Sequence, residues 1–355
     1  MSTAFAHQSR RSASRRPGER RRRAGKGTGA MALAALLFLS ACGSDGETGS
    51  GADTSGDGVT TLRVGYIPIS STLATVVGVD EGIYEKHGIE TELTKATSGA
   101  ELVAALQGGS LDIGYSNYPS IFQAVEQGMD IMMIASSDGD AARPDSDGTM
   151  IGLSSVLVGA DSSIEKPSDL RGKRVAVNGL RNINELAMRV WLSDNGVDIS
   201  EVTLVELAFP AQGAALRSGS IDAAFVTEPF VTQELKQGDV RGLGDAFAAI
   251  NPDLPLASWI TTREFAEQNP EVIADFQRAT FESAARTNAM TDEEQPELLF
   301  KHLQIDPAVG ADVVLGHFHE SFPLNDVQEI ADLMYDNQIL GKELDVRDFT
   351  VPDAS

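Results

Sequence analysis

The 355 residues contain a single cysteine, Cys42, so no disulfide can form within the chain. Basic residues are scarce: 28 stand against 52 acidic ones, giving a formal net charge of −24. A surface of that sign repels phosphates, which argues against DNA, RNA or anionic lipid as a partner. The apolar run Ala30 to Leu39 (AMALAALLFL) falls short of the roughly 20 residues that a membrane-spanning helix needs. Catalytic signatures are missing too. There is no G-x-S-x-G elbow, no H-E-x-x-H, no Walker loop and no G-x-G-x-x-G after a strand. His317 and His319 are two apart, a spacing that shares a face only in a strand, so no metal pair is expected of them. Asp138-Gly139-Asp140 and Asp145 to Gly148 lack the spacing and closing glutamate of a calcium loop. Neither a metal, a cofactor nor a catalytic residue is expected.

The first residues carry a different composition. Arg10, Arg11, Arg15, Arg16, the run Arg20 to Arg23 and Lys26 precede the apolar run, and small residues follow it. That order reads as a secretory signal over residues 1–41; a nucleic-acid arm, the other use of such a charge block, sits badly with the acidic remainder. Leu39-Ser40-Ala41-Cys42 resembles a bacterial lipobox, whose cysteine becomes the lipidated first residue. Nine basic residues and one acidic residue precede Cys42, so 19 basic and 51 acidic remain after it, a net charge of −32. Anchoring to the outer face of the cell membrane is therefore expected through lipidated Cys42, not through surface charge. Residues 42–59, with GSDGETGSGADTSGDGV from Gly43 to Val59, have too little apolar surface to fold and read as a flexible tether. Its root-mean-square span is roughly 20 to 25 Å.

The length beyond the tether exceeds one ordinary core, and the chain repeats itself. AALQGGSLDIGYSNYP at residues 104–119 returns as AALRSGSIDAAFVTEP at 214–229. Around each copy strands and helices alternate. Strands are expected at 61–67, 89–95, 111–115 and 131–135, then at 174–178, 202–207 and 221–226. Helices are expected at 72–84, 100–107 and 120–127, then at 184–194, 213–217 and 230–236. Such alternation predicts an α/β protein of two lobes, each a mostly parallel sheet flanked by helices. The strand-like 257–262 and the helical 270–288 suggest that the chain comes back, placing lobe I at 60–155 plus 257–355 and lobe II at 156–256. Two crossovers, near Ser155 and Leu256, would form a hinge. Asn325 and Gln328 are spaced as a cap and its partner for a last helix.

Most of the shared letters are what any helix-to-strand connection needs: a glycine to end the helix, a turn aspartate (Asp112, Asp222) and an apolar strand. The copies differ where the strand ends. Ser116-Asn117-Tyr118 faces Val226-Thr227-Glu228, just before a proline. Ligands of open α/β sheets bind outside the carboxyl ends of strands, so these positions are candidate half-sites for one small molecule.

LRVGYIPI, GVDEGIYEKHGIETEL, GAELVAALQGGSLDIGYSNYP, DLRGKRVAVNG and IDAAFVTEPF, in this order, resemble the solute-binding proteins of bacterial ABC importers. The resemblance is to the branch that includes nitrate, taurine, aliphatic-sulfonate and thiamine-precursor binders. It implies two lobes that close on a small ligand and deliver it to a permease driven by a separate ATPase, without catalysis and as a monomer. A sulfonate-like or taurine-like ligand is the first expectation. A heterocyclic amine such as a pyrimidine thiamine precursor is the alternative, and a small-metabolite enzyme on the same fold is the rival class. A membrane-coupled sensor would use the same cleft.

Candidate contacts follow from position. Ser70, Ser71 and Thr72 come after the first strand and before a helix, where hydroxyls and free N–H groups can hold an anionic group. Asn178, Arg181 and Asn182 occupy the matching place in lobe II. With Ser116, Asn117, Tyr118, Thr227 and Glu228 they form the expected ligand-binding set. Structural roles stand beside these: helix caps for Thr72 and Asn182, a solvated charge for Arg181, core packing for Tyr118, and a latch between lobes for Glu228. Trp259 is expected to pack at the return crossover.

Overall fold

The computed structural model describes residues 53–54, 59–145 and 147–354. The signal segment, Cys42 and nearly all of the tether lie outside the described residues. Inside the stretch read as tether, Asp53–Thr54 pairs antiparallel with Thr60 and Thr61.

Two sheets repeat one plan. In the first the order is Ile89–Lys95, Thr60–Tyr66, Ile113–Asn117, Ala257–Thr262, Ile131–Ser136. The first three run parallel, and Ala257–Thr262 is antiparallel to both of its neighbours. The second sheet orders Thr203–Glu206, Arg174–Val177, Ala223–Thr227, Ser154–Gly159, Val240–Gly244. Again three strands are parallel and Ser154–Gly159 is antiparallel on both sides. In each sheet the antiparallel fourth strand is the one that arrives from the other sheet. The two sheets therefore exchange one strand each, and the chain runs between them twice, through residues 137–153 and 245–256.

A third segment joins these two runs. His317 O accepts from Gly139 N at 2.9 Å and His319 N donates to Ser137 O at 2.9 Å, while Leu256 N donates to Asp138 O and Asp140 N to Leu254 O. Three extended segments thus lie side by side where the sequence suggested two.

Local chemistry sets the helices. Gly99–Gln107 begins at Ser98, whose Oγ accepts from Glu101 N at 3.3 Å, while the Glu101 carboxylate accepts from Thr97 N at 2.9 Å. The expected 72–84 helix is two pieces, Leu73–Asp80 and Ile83–Lys86, because Gly82 takes a left-handed φ of 71° between them. The helix expected at 213–217 starts earlier, as Phe209–Arg217, with Pro210 in its first turn, where a missing N–H costs nothing. Asn325 and Gln328 do not cap the last helix, which starts as Leu324–Asp336 after Pro323. Gln328 instead ties down the C-terminal stretch, donating to Leu344 O and accepting from Val346 N.

The core is continuous across the layers. Leu73–Asp80 lies against Pro270–Asn288 so closely that a Cβ on Gly78 would stand 1.8 Å from Ser283 Oγ. Trp259, buried, packs between Tyr115 at 5.5 Å and Phe276 at 6.0 Å between ring centroids, the packing role expected of it. Among the described residues no helix is long and apolar enough to cross a membrane.

Candidate ligand-binding site

The carboxyl ends of the parallel strands in both sheets open onto one cavity. From the first sheet's side it is lined by Ile67, Ile69, Ser71, Tyr115 and Asn117, and from the second by Ser154, Asn178, Ile183, Asn184, Phe209, Thr227 and Phe247. Leu153 and Leu256, on the two runs between the sheets, close its floor. The void measures about 40 Å³, above the roughly 10 to 15 Å³ that a cavity needs to admit a water. No lining residue carries a charge, so recognition in this cavity rests on hydroxyl and amide groups set among apolar walls.

Of the residues singled out from sequence, Ser71, Asn117, Asn178 and Thr227 line this cavity. Asn117 also caps Tyr118–Glu126, accepting from Ser120 N at 3.1 Å, and so holds that helix's N-terminus at the cavity edge. Asn178 accepts from Asn182 Nδ2 at 2.7 Å, and Asn182 Oδ1 caps Ile183–Asp194 by accepting from Asn184 N and Glu185 N. Asn182 is thus a cap that positions Asn178. Thr227 Oγ1 lies 2.6 Å from Ser154 Oγ, pairing two lining hydroxyls across adjacent strands.

The others point elsewhere. Ser70 gives both its N–H and its hydroxyl to the Glu228 carbonyl, at 3.2 and 3.1 Å, which ties the first lobe's loop to the second lobe's strand end. Thr72 donates its hydroxyl to Ile67 O and Ile69 O and is not a side-chain cap. Ser116 turns to the opposite face of its strand, against Gly99, where a Cβ would come within 2.4 Å of its Oγ. Tyr118 is fully buried, its hydroxyl 2.9 Å from Ser136 Oγ, with Phe122 and Phe322 against its ring. Arg181 sits at φ 56° outside the cavity; its guanidinium donates to Ile339 O at 3.2 Å, and its carbonyl accepts from Gln123 Nε2.

Glu228 is fully buried and acts within the protein. Oε1 accepts from Thr232 Oγ1 at 2.6 Å and from Val314 N at 3.0 Å, and Oε2 accepts from Thr232 N at 3.0 Å. Burial pushes its carboxyl up to about 7 despite these donors. The arrangement binds the end of the second lobe's strand to the segment that follows helix Glu294–Leu303, the latch role weighed from sequence.

Sequence reasoning passed over Tyr115, Ser154 and Asn184. Strand alternation carried a signal for the first: residues 115 and 117 share a face and 116 takes the other. Asn184, in the first turn of its helix, is buried and its Nδ2 has no hydrogen-bond partner. Nothing in the sequence distinguishes it from an ordinary helix residue.

Three further acids crowd the runs between the sheets. Asp138 is fully buried, and burial pushes it up to about 7. Asp140 and Asp245 face each other, both raised by burial, and the nearby Asp245 charge raises Asp140 further. His319, whose Nδ1 is 2.6 Å from Ser136 Oγ, is held down to about 4 by burial. No group of three or more histidine, cysteine or acidic side chains among the described residues is arranged to hold a metal.

Two strand-exchanged α/β lobes with a small uncharged cavity between their strand ends make up the periplasmic-binding-protein fold. Residues 55–299 match the NMT1-like family, and the chain belongs to it. It is 29% identical over 249 residues to the taurine-binding periplasmic protein of Escherichia coli, covering 69% of this chain and 72% of that one. A putative aliphatic sulfonates-binding protein of Escherichia coli is 26% identical over 329 residues, 89% of this chain and 94% of its own. Among solved structures, the periplasmic aliphatic sulphonate binding protein SsuA from Escherichia coli superposes with a TM-score of 0.63 at 23% identity, over 81% of this chain and 96% of that one. The periplasmic nitrate-binding protein NrtA from Synechocystis does so at 0.68 and 14% identity, over 82% and 86%.

Proposed function

We propose that this protein is the extracytoplasmic receptor of an ABC importer and that it holds a small sulfonate-like or taurine-like molecule in the cavity between its lobes. The observation that carries this reading is a cavity built from both sheets, uncharged, with hydroxyl and amide groups among apolar walls and an unpartnered amide donor on Asn184. Similarity to taurine-binding and sulfonate-binding proteins supports the ligand class. In this reading lobe I comprises 60–155 and 257–355 and lobe II 156–256. Contacts from both lobes exist only when they are together, so the ligand favours closure by its differential affinity for that state. Closure presents the surface that a permease with its separate ATPase recognises. Lipidated Cys42 keeps the receptor at the outer face of the membrane, and no catalytic step is involved.

Thermal-shift titration of the purified chain against taurine, alkanesulfonates, nitrate and pyrimidines tests the ligand class. A true ligand at one hundred times its dissociation constant stabilises by about 2.7 kcal/mol. A shift with a pyrimidine and none with any sulfonate would refute the sulfonate reading. Fractionation of cells expressing the full chain and its Cys42→Ala variant tests the anchor: membrane retention of the variant would rule the anchor out.

A further inference from the structure

The first lobe's side of the cavity hides an acid with an unfilled need. Asp138 is fully buried and neither carboxylate oxygen has a hydrogen-bond partner, a costly state for a charged group. The hydroxyls of Ser71 and Ser137 stand beside it, and Ser137 donates its proton to Ser71 O at 2.7 Å. Ser71 and Tyr115 line the cavity, and the Tyr115 hydroxyl stands beside the same two serines, within reach of the Asp138 charge. An ionised carboxylate accepts hydrogen bonds and cannot donate them. With the Ser137 proton given to a carbonyl, the donors left to answer it are the Ser71 and Tyr115 hydroxyls, whose oxygen lone pairs then turn to the cavity.

The second lobe's side has the opposite character. Asn184 lines the cavity with an Nδ2 that lacks an acceptor. It stands in the first turn of the 12-residue helix Ile183–Asp194, whose N-terminal end carries the positive end of the helix dipole. Resting on the receptor role proposed above, we infer that the cavity is bipolar and takes a small zwitterion, with a protonated amine at the Ser71–Tyr115 wall backed by Asp138 and an anionic group at Asn184.

Asp138 acts through the hydroxyls in front of it and is a positioning residue. The titratable groups around it are Tyr115 and Tyr118 from one strand end, Asp140 from its own run and His319 from the third segment. Burial keeps His319 neutral, and no cationic side chain is among the groups acting on Asp138. Burial pushes Asp138 up to about 7, so it is ionised above neutrality and protonated below it.

Isothermal titration of the purified chain with two ligand pairs that differ only in the amine tests this: taurine against ethanesulfonate, and β-alanine against propionate. At about pH 8 the amine-bearing member of the bound pair is expected to be tighter by about tenfold or more. At about pH 5.5 the preference shrinks to about twofold. Asp138→Asn, with an unchanged circular dichroism spectrum, loses the preference at both pH values. Equal affinities within the bound pair at the higher pH, or a preference indifferent to pH and to Asp138→Asn, overturns the inference. Should the variant fail to fold, the pH series on the unmodified chain decides. If neither sulfonate binds, the sulfonate reading fails and the carboxylate pair still decides the bipolar cavity: a preference for β-alanine supports it, and no binding of either amine overturns it.

Discussion

Asp112 accepts from the Arg63 backbone N–H at 2.8 Å and from the Arg63 guanidinium at 2.6 and 3.0 Å, and Asp222 holds Arg174 in the same way in the other lobe. Each arginine also donates to the carbonyl of the glycine three residues before the aspartate, Gly109 or Gly219. The clamp joins the start of the parallel strand at Asp112 or Asp222 to the neighbouring first strand, so it sets register where two parallel strands meet. Hydrogen bonds to a charged group contribute about 1.5 to 3 kcal/mol. Asp112→Ala is therefore expected to cost about 2 kcal/mol in urea unfolding. Asp222→Ala should cost less, because the Asp222 side chain is 31% exposed against 10% for Asp112. Equal and negligible losses at both sites would show that the aspartates act only as turn residues.

That turn role was all the sequence offered for these aspartates, and the reason is general. The repeated words were legible because they follow local rules: a cap, a helix end, an apolar strand. The lobe architecture followed from their alternation. The partner of each aspartate lies about fifty residues away on a neighbouring strand, and periodicity carries no information about such pairings. The site divides in the same manner. Ser71, Asn117, Asn178 and Thr227 sit at strand ends, and strand ends can be read from sequence. Ser70, Thr72, Tyr118 and Glu228 lie beside them in the chain, yet each turns to a backbone or side-chain partner that only the tertiary fold supplies. The third segment at the crossing, residues 313–319, left no signal because it is extended chain without regular alternation.

Glu228 supplies the next prediction. Glu228→Gln keeps one acceptor oxygen but sets an amide NH₂ against either Thr232 N–H or the donors at Oε1, Thr232 Oγ1 and Val314 N. One buried donor then faces another. Loss of a buried hydrogen bond to a charged group costs about 1.5 to 3 kcal/mol, and part of that cost falls on the tie between the second lobe and the 313–319 segment. Small-angle scattering of the ligand-free variant is expected to show a larger radius of gyration than the parent. Ligand affinity should fall by about tenfold although Glu228 does not line the cavity. An unchanged scattering curve together with unchanged affinity would remove the latch role.

The buried acids fix the sign of the pH dependence. Asp138 and Glu228 have folded values raised to about 7, and Asp140 and Asp245 are raised by burial and by their proximity. A raised carboxyl binds more protons folded than unfolded between its unfolded value, near 4, and its folded one. Stability therefore falls as pH climbs through that window. His319, lowered to about 4, works the other way: the unfolded state binds the extra proton between about 4 and 6.5, and stability rises with pH there. Four acids against one histidine give a ligand-free melting temperature that declines from about pH 4 to pH 7, with Asp140, raised to about 9, extending a shallower decline beyond that. Asp140→Asn should flatten the decline, because it removes the acid that must lose its proton beside Asp245. A melting temperature that climbs steadily from about pH 4 to pH 7 would mean that these acids are ionised in the folded protein at no cost.

Arg181 and Asn184 separate two ways of holding an anion. Arg181 is the one cation that the sequence places near the second lobe's half of the site, and a guanidinium is a strong partner for a sulfonate. Its side chain, however, reaches outward to Ile339 O, and an exposed contact of that kind contributes little. Asn184 offers a neutral amide, but its Nδ2 is buried at the cavity wall without a partner, so a ligand oxygen there gains a hydrogen bond while displacing little competing water. Asn184→Ala is thus expected to weaken the ligand identified by thermal shift by about tenfold, the equivalent of roughly 1.4 kcal/mol. Its melting temperature should stay close to the parent's, since the Nδ2 group it removes has no partner within the protein. Arg181→Ala should leave affinity within about twofold. The measurement is calorimetric titration of both variants at one salt concentration, repeated at higher salt. The reverse ranking, with Arg181→Ala the weaker binder and its deficit shrinking with salt, would place the anion outside the cavity at the guanidinium.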